Sequence, residues 1–559
     1  HKFTLDEDEK IVGLNIRAGW FIDGIEIKTN KKSSGWIGGF GGSMHYLYMP
    51  KDHEIIGIFG SGDSYINSLG IIYKKHLTLI LNLVAGMIPL IPTEIYQQIL
   101  KRFHVSTIWK LALVNKTWCA NVIPILYKEP FSLVYNNTDT LDDKERKAQL
   151  ARTYLWCLSD EAKNSLKSVG IELPECIITK STFKYESFLY NINYLYFSDI
   201  FRELLISLDN DSSMIDCFHY VILEKVCKQF VISAEKIKHL SLIDVNKIHL
   251  PFRSRMMVPL QSYICSENSF FSRIEKFESD ESITSGFFFE MAQVAHKIED
   301  LHIVDCHKND EAIATLIRVQ DNLQKISLEF NGSLQSWEYL EEALGEKVES
   351  LKYVHILSRV YLTYDYFSLG IFSGCTNLQV LKLHLYKSMD HHVLEDFVES
   401  SLTKLKTLDL KIAIHPTSDT FSQISRLITN SNTYDTLRNV TIVWQYYPVD
   451  FYEITIPNSK GNHILNIFLA CVLLQEAKFY TDNIRNLVNT KCDHLEYSDI
   501  SQKFMSFGEN IPKNLRKLCF FGSWRFDYFA LSEFLDGCAD RLNKKPFGLL
   551  FSLHPGRKS

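Results

Sequence analysis

Several ingredients of familiar protein classes are missing from this 559-residue chain. None of its twelve cysteines lies before Cys119 and no two form a C-x-x-C, which excludes a disulfide framework and a paired-knuckle zinc site. Excess positive charge is missing too: 60 Lys and Arg stand against 66 Asp and Glu, a formal charge of -6, so no global basic field draws a phosphate backbone. Glycine and proline are sparse, at 25 and 14, which argues against low complexity and wholesale disorder. The longest apolar run, Leu77 to Pro92, carries Asn82 and Pro89 and falls short of the roughly twenty residues that span a bilayer. No G-x-S-x-G, H-E-x-x-H or Walker loop is present, and with them go the commonest signatures of hydrolases, zinc proteases and nucleotide enzymes. The first residue is His1, no basic n-region with a cleavage site follows, and reduced thiols in a cytoplasmic or nuclear protein are the expectation.

What the chain does have is length for three or four domains and an aromatic excess of 36 Phe, 27 Tyr and 8 Trp. Residues 1–75 are rich in short β-type runs. The stretch Ile11 to Ile27 recurs 44 positions on as Ile55 to Ile71, each copy reading as two strands about a glycine-containing turn. Between them Gly35 to Gly42 holds five glycines in eight residues, read as a sheet turn rather than a phosphate cradle because no helix pattern follows.

Residues Ile16 to Ile25, Gly57 to Gly70 and the joining Gly38-Gly39-Phe40-Gly41-Gly42 resemble the jacalin-related lectins. That family's fold is a β-prism of three Greek keys, and its G-x-x-x-D loop binds sugar through backbone amides and the Asp carboxylate. The resemblance implies carbohydrate contacts at Gly19, Trp20, Phe21 and Asp23, with Asp63 and Asn67 standing in the second copy where Gly and Asp are expected. It covers about half a complete module, hence a partial β-prism.

Residues 88–130 read as helices. Ile95, Ile99 and Phe103 form one stripe, Pro92 suits a helix start, and Ser106 suits the cap of a second helix carrying Ile108, Leu111, Ala112, Val114 and Trp118. The string Ile91-Pro92-Thr93-Glu94-Ile95 to Ile99-Leu100, then Leu111 to Cys119, then Ile125-Leu126-Tyr127 is similar to the F-box motif, with Asn115 and Tyr127 departing from its Cys and Trp. The resemblance implies docking of a Skp adaptor of a cullin-RING ligase through Ile91, Pro92, Ile95, Ile99, Leu100, Leu111, Val114 and Trp118. Residues 131–235 read as a helical lead-in, with amphipathic helices at Lys144 to Ser168 and Phe183 to Ser207.

From 236 to 559 a loose L-x-x-L-x-L pattern recurs at Ile237-Leu240-Leu242, Ile274-Phe277, Ile298-Leu301-Ile303, Leu323-Ile326-Leu328, Val348-Leu351-Tyr353, Leu378-Leu381-Leu383, Leu405-Leu408-Leu410, Leu437-Val440-Ile442, Leu474-Ala477-Phe479 and Leu515-Leu518-Phe520. Return helices are expected at Phe287 to Lys297 and His391 to Ser400. The spacing suits a strand, a turn and a returning helix, and the chain resembles leucine-rich-repeat F-box proteins. His302, Asp305, Cys306 and His307, and Asp390, His391, His392 and Glu395, read as scaffold rather than metal ligands. The expected class is multidomain α+β: a partial jacalin-like β-prism, a helical F-box and an α/β leucine-rich-repeat solenoid with a parallel sheet. The expected protein is non-catalytic, needs no cofactor or metal, and selects a target protein for ubiquitination, with no nucleic-acid or membrane partner. A carbohydrate-binding protein and an interaction scaffold without a ubiquitin role are the alternatives. The aromatic excess is assigned to padding of irregular repeats, through Phe270, Phe271 and Phe287 to Phe289, and to the lectin-like strands through Trp20, Phe21, Trp36, Tyr46 and Tyr48.

Overall fold

Two antiparallel hairpins open the chain, β1 (Ile11–Ala18) with β2 (Ile22–Thr29), and β5 (His53–Gly62) with β6 (Ile66–Lys75). Their ladders break at Ile11/Gly13 and Arg17/Ala18 in the first and at Ile55/Gly57 and Ser61/Gly62 in the second, the same positions 44 residues on. The repeat seen in sequence is therefore a repeat of bulged hairpins, each bulge bending its strand and raising its twist. Short β3 (Ile37–Gly38) and β4 (Ser43–Tyr48) flank the first hairpin in the order β3-β2-β1-β4. One face of β1 is inward, with Leu14 and Ile16 buried.

The computed structural model describes residues 3–75, 100–135, 141–243, 253–359, 370–389, 402–414, 426–446, 460–481 and 506–551, short breaks inside these stretches excepted. It divides the chain into two compact units, His1–Ile123 and Pro124–Ser559. The first unit also contains α1 (Val105–Leu111), and α2 (Lys116–Leu126) begins in it. The single helix expected to start at Ser106 and reach Trp118 is two: Ser106 lies inside α1, the chain turns after Leu111, and Trp118 belongs to α2.

In the second unit, α3 (Leu141–Trp156) and α4 (Asp160–Ser168) replace the one helix expected over 144–168. Ser159 separates them, its Oγ accepting the Ala162 N–H at 3.2 Å as an N-cap. After α5 (Tyr194–Ser207) and α6 (Ser212–Ser233) the chain alternates strands with returning helices, α7 (Arg253–Gln261), α8 (Ser285–Val294), α9 (Asp310–Arg318), α10 (Trp337–Gly345), α11 (Lys460–Ala470) and α12 (Tyr528–Arg541). The strands are β7 (Asn191–Asn193), β8 (His239–Ser241), β9 (Lys276–Ser279), β10 (Asp300–Val304), β11 (Lys325–Phe330), β12 (Tyr353–Ser358), β13 (Val380–Met389), β14 (Thr407–Ile414), β15 (Asn439–Tyr446), β16 (Glu476–Thr481), β17 (Lys517–Phe521) and β18 (Gly548–Phe551). They form one twelve-stranded parallel sheet whose spatial order is the chain order. Its first strand falls inside 131–235, before the start at 236 expected from the pattern.

Register is set by one inward residue per strand, buried in every strand but the last, where Leu549 is half-buried. Ile192, Leu240, Phe277, Leu301, Ile326, Val354, Leu381, Leu408, Val440, Ala477, Leu518 and Leu549 pair in a single row. This corrects the fifth repeat: Val354, not Leu351, is central, and the triplet is Leu351-Val354-Ile356. Intervals from Phe277 to Val440 become 24, 25, 28, 27, 27 and 32 residues, more even than the sequence pattern alone implies. Each buried Leu or Ile in the row contributes about 1.5–3 kcal/mol by leaving water, and none can do so without the neighbouring repeat.

Polar side chains brace successive turns. Gln320, 1% exposed, accepts the Ile298 N–H at 2.8 Å and donates to the carbonyls of Ala295 and Leu316, both at 2.7 Å. Ser350 Oγ donates to Leu323 O, Asn377 Nδ2 to Glu349 O and Thr436 Oγ1 to Leu405 O in the same manner. Phe270, Phe271, Phe287 and Phe288 are buried as expected of padding, but Phe289 is on the surface, as are Tyr46 and Tyr48. Among the described residues no helix is long and apolar enough to cross a membrane, and the run 77–92 lies outside them.

Candidate functional site

Strand geometry sends alternate side chains to opposite faces. In β10 and β11 Leu301, Ile303, Ile326 and Leu328 are buried, while His302, Ser327 and Glu329 on the other face keep contact with solvent. Pairing lines these outward residues up in rows that cross the sheet. One row runs Ser241, Glu278, His302, Ser327, His355, Lys382, Asp409, Thr441, Lys478 and Cys519. The next row places Glu329, Leu357, His384 and Lys411 side by side.

Every acid described on this face has a base beside it. Glu278 meets Lys276 at 2.6 Å and His239 at 3.3 Å, Asp300 meets Lys325 at 3.6 Å, Glu329 meets His302 at 3.4 Å, Asp409 meets His384 at 3.2 Å and Glu476 meets Lys478 at 3.4 Å. Burial alone would raise the Glu278 carboxyl, but hydrogen bonds from His239 and Lys276 outweigh it and hold it down at about 2. The His302 contact likewise lowers Glu329. Among the described residues such pairing leaves no continuous row of spare cations for a phosphate chain. It suits a protein surface read by shape and by exchange of polar contacts.

At the centre of the face four side chains from successive strands touch in series. Ser327 Oγ lies 2.9 Å from His355 Nδ1, His355 Nε2 lies 3.4 Å from His384 Nδ1, and His384 Nε2 lies 3.2 Å from Asp409 Oδ2. The two imidazoles meet edge to face with centroids 4.9 Å apart. Burial first, then the neighbouring His384 and Lys382, push His355 down to about 4, so near neutral pH it is uncharged. Burial opposes ionisation of Asp409, yet the facing His384 keeps its carboxyl below the ordinary value. The order serine, histidine, histidine, aspartate has the polarity of an acyl-transfer relay. A nucleophile at Ser327 would, however, need donors for the oxyanion, and the backbone N–H groups of β11 to β13 are aimed along the parallel ladder rather than out of the face. A base as weak as His355 would also take up the hydroxyl proton poorly. Among the described residues no group of three or more His, Cys, Asp or Glu is placed to hold a metal.

The second surface is at the tip of the first hairpin. Asp23, exposed at the start of β2, receives the Gly39 N–H on its carbonyl at 2.6 Å. Its carboxylate lies on bare backbone: a Cβ at Gly41 would be 3.0 Å from Oδ1 and one at Gly42 2.7 Å from Oδ2. Gly42 has φ +69, a left-handed conformation that glycine adopts without strain. Arg17 holds this loop, donating to Phe40 O at 3.0 Å with its guanidinium 5.1 Å from the Trp36 ring centre. Further along β1, away from the tip, Tyr48 pairs with Gly13 and donates to Asn15 Oδ1 at 2.9 Å.

Of the sugar-site residues expected from sequence, Gly19, Trp20, Phe21 and Asp63 lie outside the described residues, and Asn67 is placed only as part of β6. Asp23 is brought against the glycine loop. Of the expected Skp-contact residues, Ile91, Pro92, Ile95, Ile99 and Val114 lie outside the described residues. Leu100, Leu111 and Trp118 are at most 2% exposed. The apolar side chains turned outward here are Trp109 and Leu113, at 49% and 77% exposure. Cys306, His307 and the 390–395 cluster lie outside the described residues, as does the return helix expected over 391–400; His302 and Asp305 do not share a contact that would ligate a metal. Sequence reading missed the serine-histidine series, because its members are a repeat apart. They could have been found by aligning repeats on their central residue, since Ser327, His355 and Asp409 each directly follow it and His384 lies two positions further along its strand.

The family model of the jacalin-like lectin domain matches residues 1–72. It ends before α1, α2 and the parallel sheet. No curated protein matches the chain.

Proposed function

We propose that this chain is a non-catalytic substrate receptor of a Skp-cullin-F-box ubiquitin ligase, working in cytosol or nucleus. The outward face of the parallel sheet selects a target protein, and residues 91–127 dock the Skp adaptor. The observation that carries the receptor role is the row of outward polar side chains spanning consecutive strands, backed by a buried row of apolar ones. A twelve-stranded face of this kind is a large recognition surface whose described acids already have partners. The adaptor role is supported by the sequence order of the F-box-like residues from Pro92 to Trp118 and by Trp109 and Leu113, an exposed apolar pair on and just after α1.

The test is co-purification of the full chain with a Skp adaptor, for the wild type and for Trp109→Ala with Leu113→Asp. Loss of adaptor in the folded double variant supports docking. Undiminished recovery, or no recovery with the wild type, removes the ligase role and leaves a protein-binding scaffold.

A second reading, carbohydrate binding, is favoured by one observation: the family match at 1–72 together with the Asp23 carboxylate seated on the Gly41-Gly42 backbone. Carboxylate oxygens and uncovered amides are the short directional partners that vicinal hydroxyls require. A glycan array with wild type and Asp23→Ala decides it. A signal that Asp23→Ala abolishes supports sugar binding, and a blank array with the wild type rejects it.

A further inference from the structure

The contact between His355 and His384 has a property that does not depend on which nitrogen carries hydrogen. Two imidazole nitrogens 3.4 Å apart hold one proton between them. When both rings are charged each nitrogen bears its own hydrogen, two donors face each other, and the contact must open. We infer that the centre of the sheet face is an acid-operated switch, in which charging of the His355–His384 pair separates β12 from β13 side chains and disrupts the Ser327–Asp409 series. Its consequence for a partner, release in acid, rests on the receptor reading above; the switch itself does not.

The surroundings set the sign. Facing His355 are His302 on β10, Ser327 and Glu329 on β11, and Lys382 and His384 on β13; around these lie Arg359 beside Glu329, Tyr353 beneath Lys382, Asp409 against His384, and Lys411 beside Asp409. Glu329 favours a charged His355, but His384, Lys382 and His302 oppose it, and burial opposes it most. His355 therefore stays uncharged through the physiological range, and the contact gives way only in acid, near the value of about 4 at which His355 titrates. Lys382 sits with its ammonium 5.5 Å from the Tyr353 ring centre, a cation held over the same patch and adding to the repulsion once His355 charges.

Hydrogen-exchange mass spectrometry on the full chain tests this without any partner. Exchange is compared at pH 7 and pH 4, normalised to the intrinsic rate at each. Peptides from β11 to β14 should lose at least about tenfold more protection in acid than those from β16 and β17. His355→Gln with His384→Gln, which cannot charge, should remove that excess. Lys382→Met alters an outward side chain and spares the buried row; it should move the midpoint of the transition upward by about half a pH unit, because one repelling cation is gone. A uniform acid response along the sheet, or an excess that persists in the histidine double variant, overturns the switch and leaves the receptor reading untouched. If the double variant does not fold, a wild-type midpoint that Lys382→Met leaves in place or moves downward overturns it instead.

Discussion

Replacing Gln320 should cost the solenoid more than its single side chain suggests. The amide is 1% exposed and makes three hydrogen bonds, one accepted from Ile298 N–H and two donated to Ala295 O and Leu316 O. Gln320→Leu keeps the volume but strands one backbone donor and two carbonyls in the interior. An orphaned buried donor or acceptor costs about 1–3 kcal/mol, the carbonyls less than the amide, so the loss is about 3–5 kcal/mol. Gln320→Glu keeps the acceptor for Ile298 but puts a carboxylate oxygen where Nε2 stood 2.7 Å from two carbonyls. It should be at least as damaging when ionised and should recover part of the loss when protonated, since the acid O–H can again donate. Global denaturation of a chain with several units does not isolate this site, so the assay is native-state hydrogen exchange of peptides from 295–304 and 325–330. At about 1.4 kcal/mol per decade, Gln320→Leu should speed their exchange about 100-fold or more. Acceleration of less than about fivefold would refute the bracing role.

Other outcomes follow from burial and backbone geometry. Val354→Asp should abolish protection of β11 to β13, whereas Val348→Asp, six residues before Val354 and outside the paired strand, should perturb only its own turn; equal effects would restore the earlier register. Gly42→Ala should displace the loop from Asp23, because its Cβ would be 2.3 Å from Ala18 C at φ +69; unchanged loop exchange would count against that packing. Burial pushes His219 down to about 4 while the unfolded residue titrates near about 6.5. The unfolded chain thus binds more protons between these values, stability is full above the upper one, and about 3 kcal/mol is lost as pH falls to 4. His219→Leu should flatten this part of the stability-pH curve, read as midpoints of acid melts.

The repeat pattern was legible because each strand must bury one residue, and ten of the twelve strands carry a visible apolar pair or triplet. It slipped at Val348-Leu351-Tyr353 because the overlapping Leu351-Val354-Ile356 fits as well, and only pairing of Val354 with Ile326 and Leu381 decides between them. The end strands escaped for a different reason: Asn191–Asn193 has three residues, and 48 positions separate Ile192 from Leu240. The helical module was legible in apolar positions such as Ile108 and Leu111, but not in which of its two tryptophans is enclosed. Trp118 is buried and Trp109 exposed, and periodicity over a helix this short cannot say which face meets the core. The aromatic surplus likewise divided, with Phe271 and Phe287 in the interior and Tyr46 and Tyr48 in water.

Because the spatial order of the strands is their chain order, each strand's neighbour is also its nearest strand in sequence. No pairing waits for a distant segment to arrive, and each closure encloses one repeat, 24 residues between Phe277 and Leu301. Sheets of this size are ordinarily slow to form because loop closure over long separations precedes any reward. Here assembly can start at any adjacent pair and spread outward in both directions, so the largest layer of the molecule is kinetically a chain of local steps.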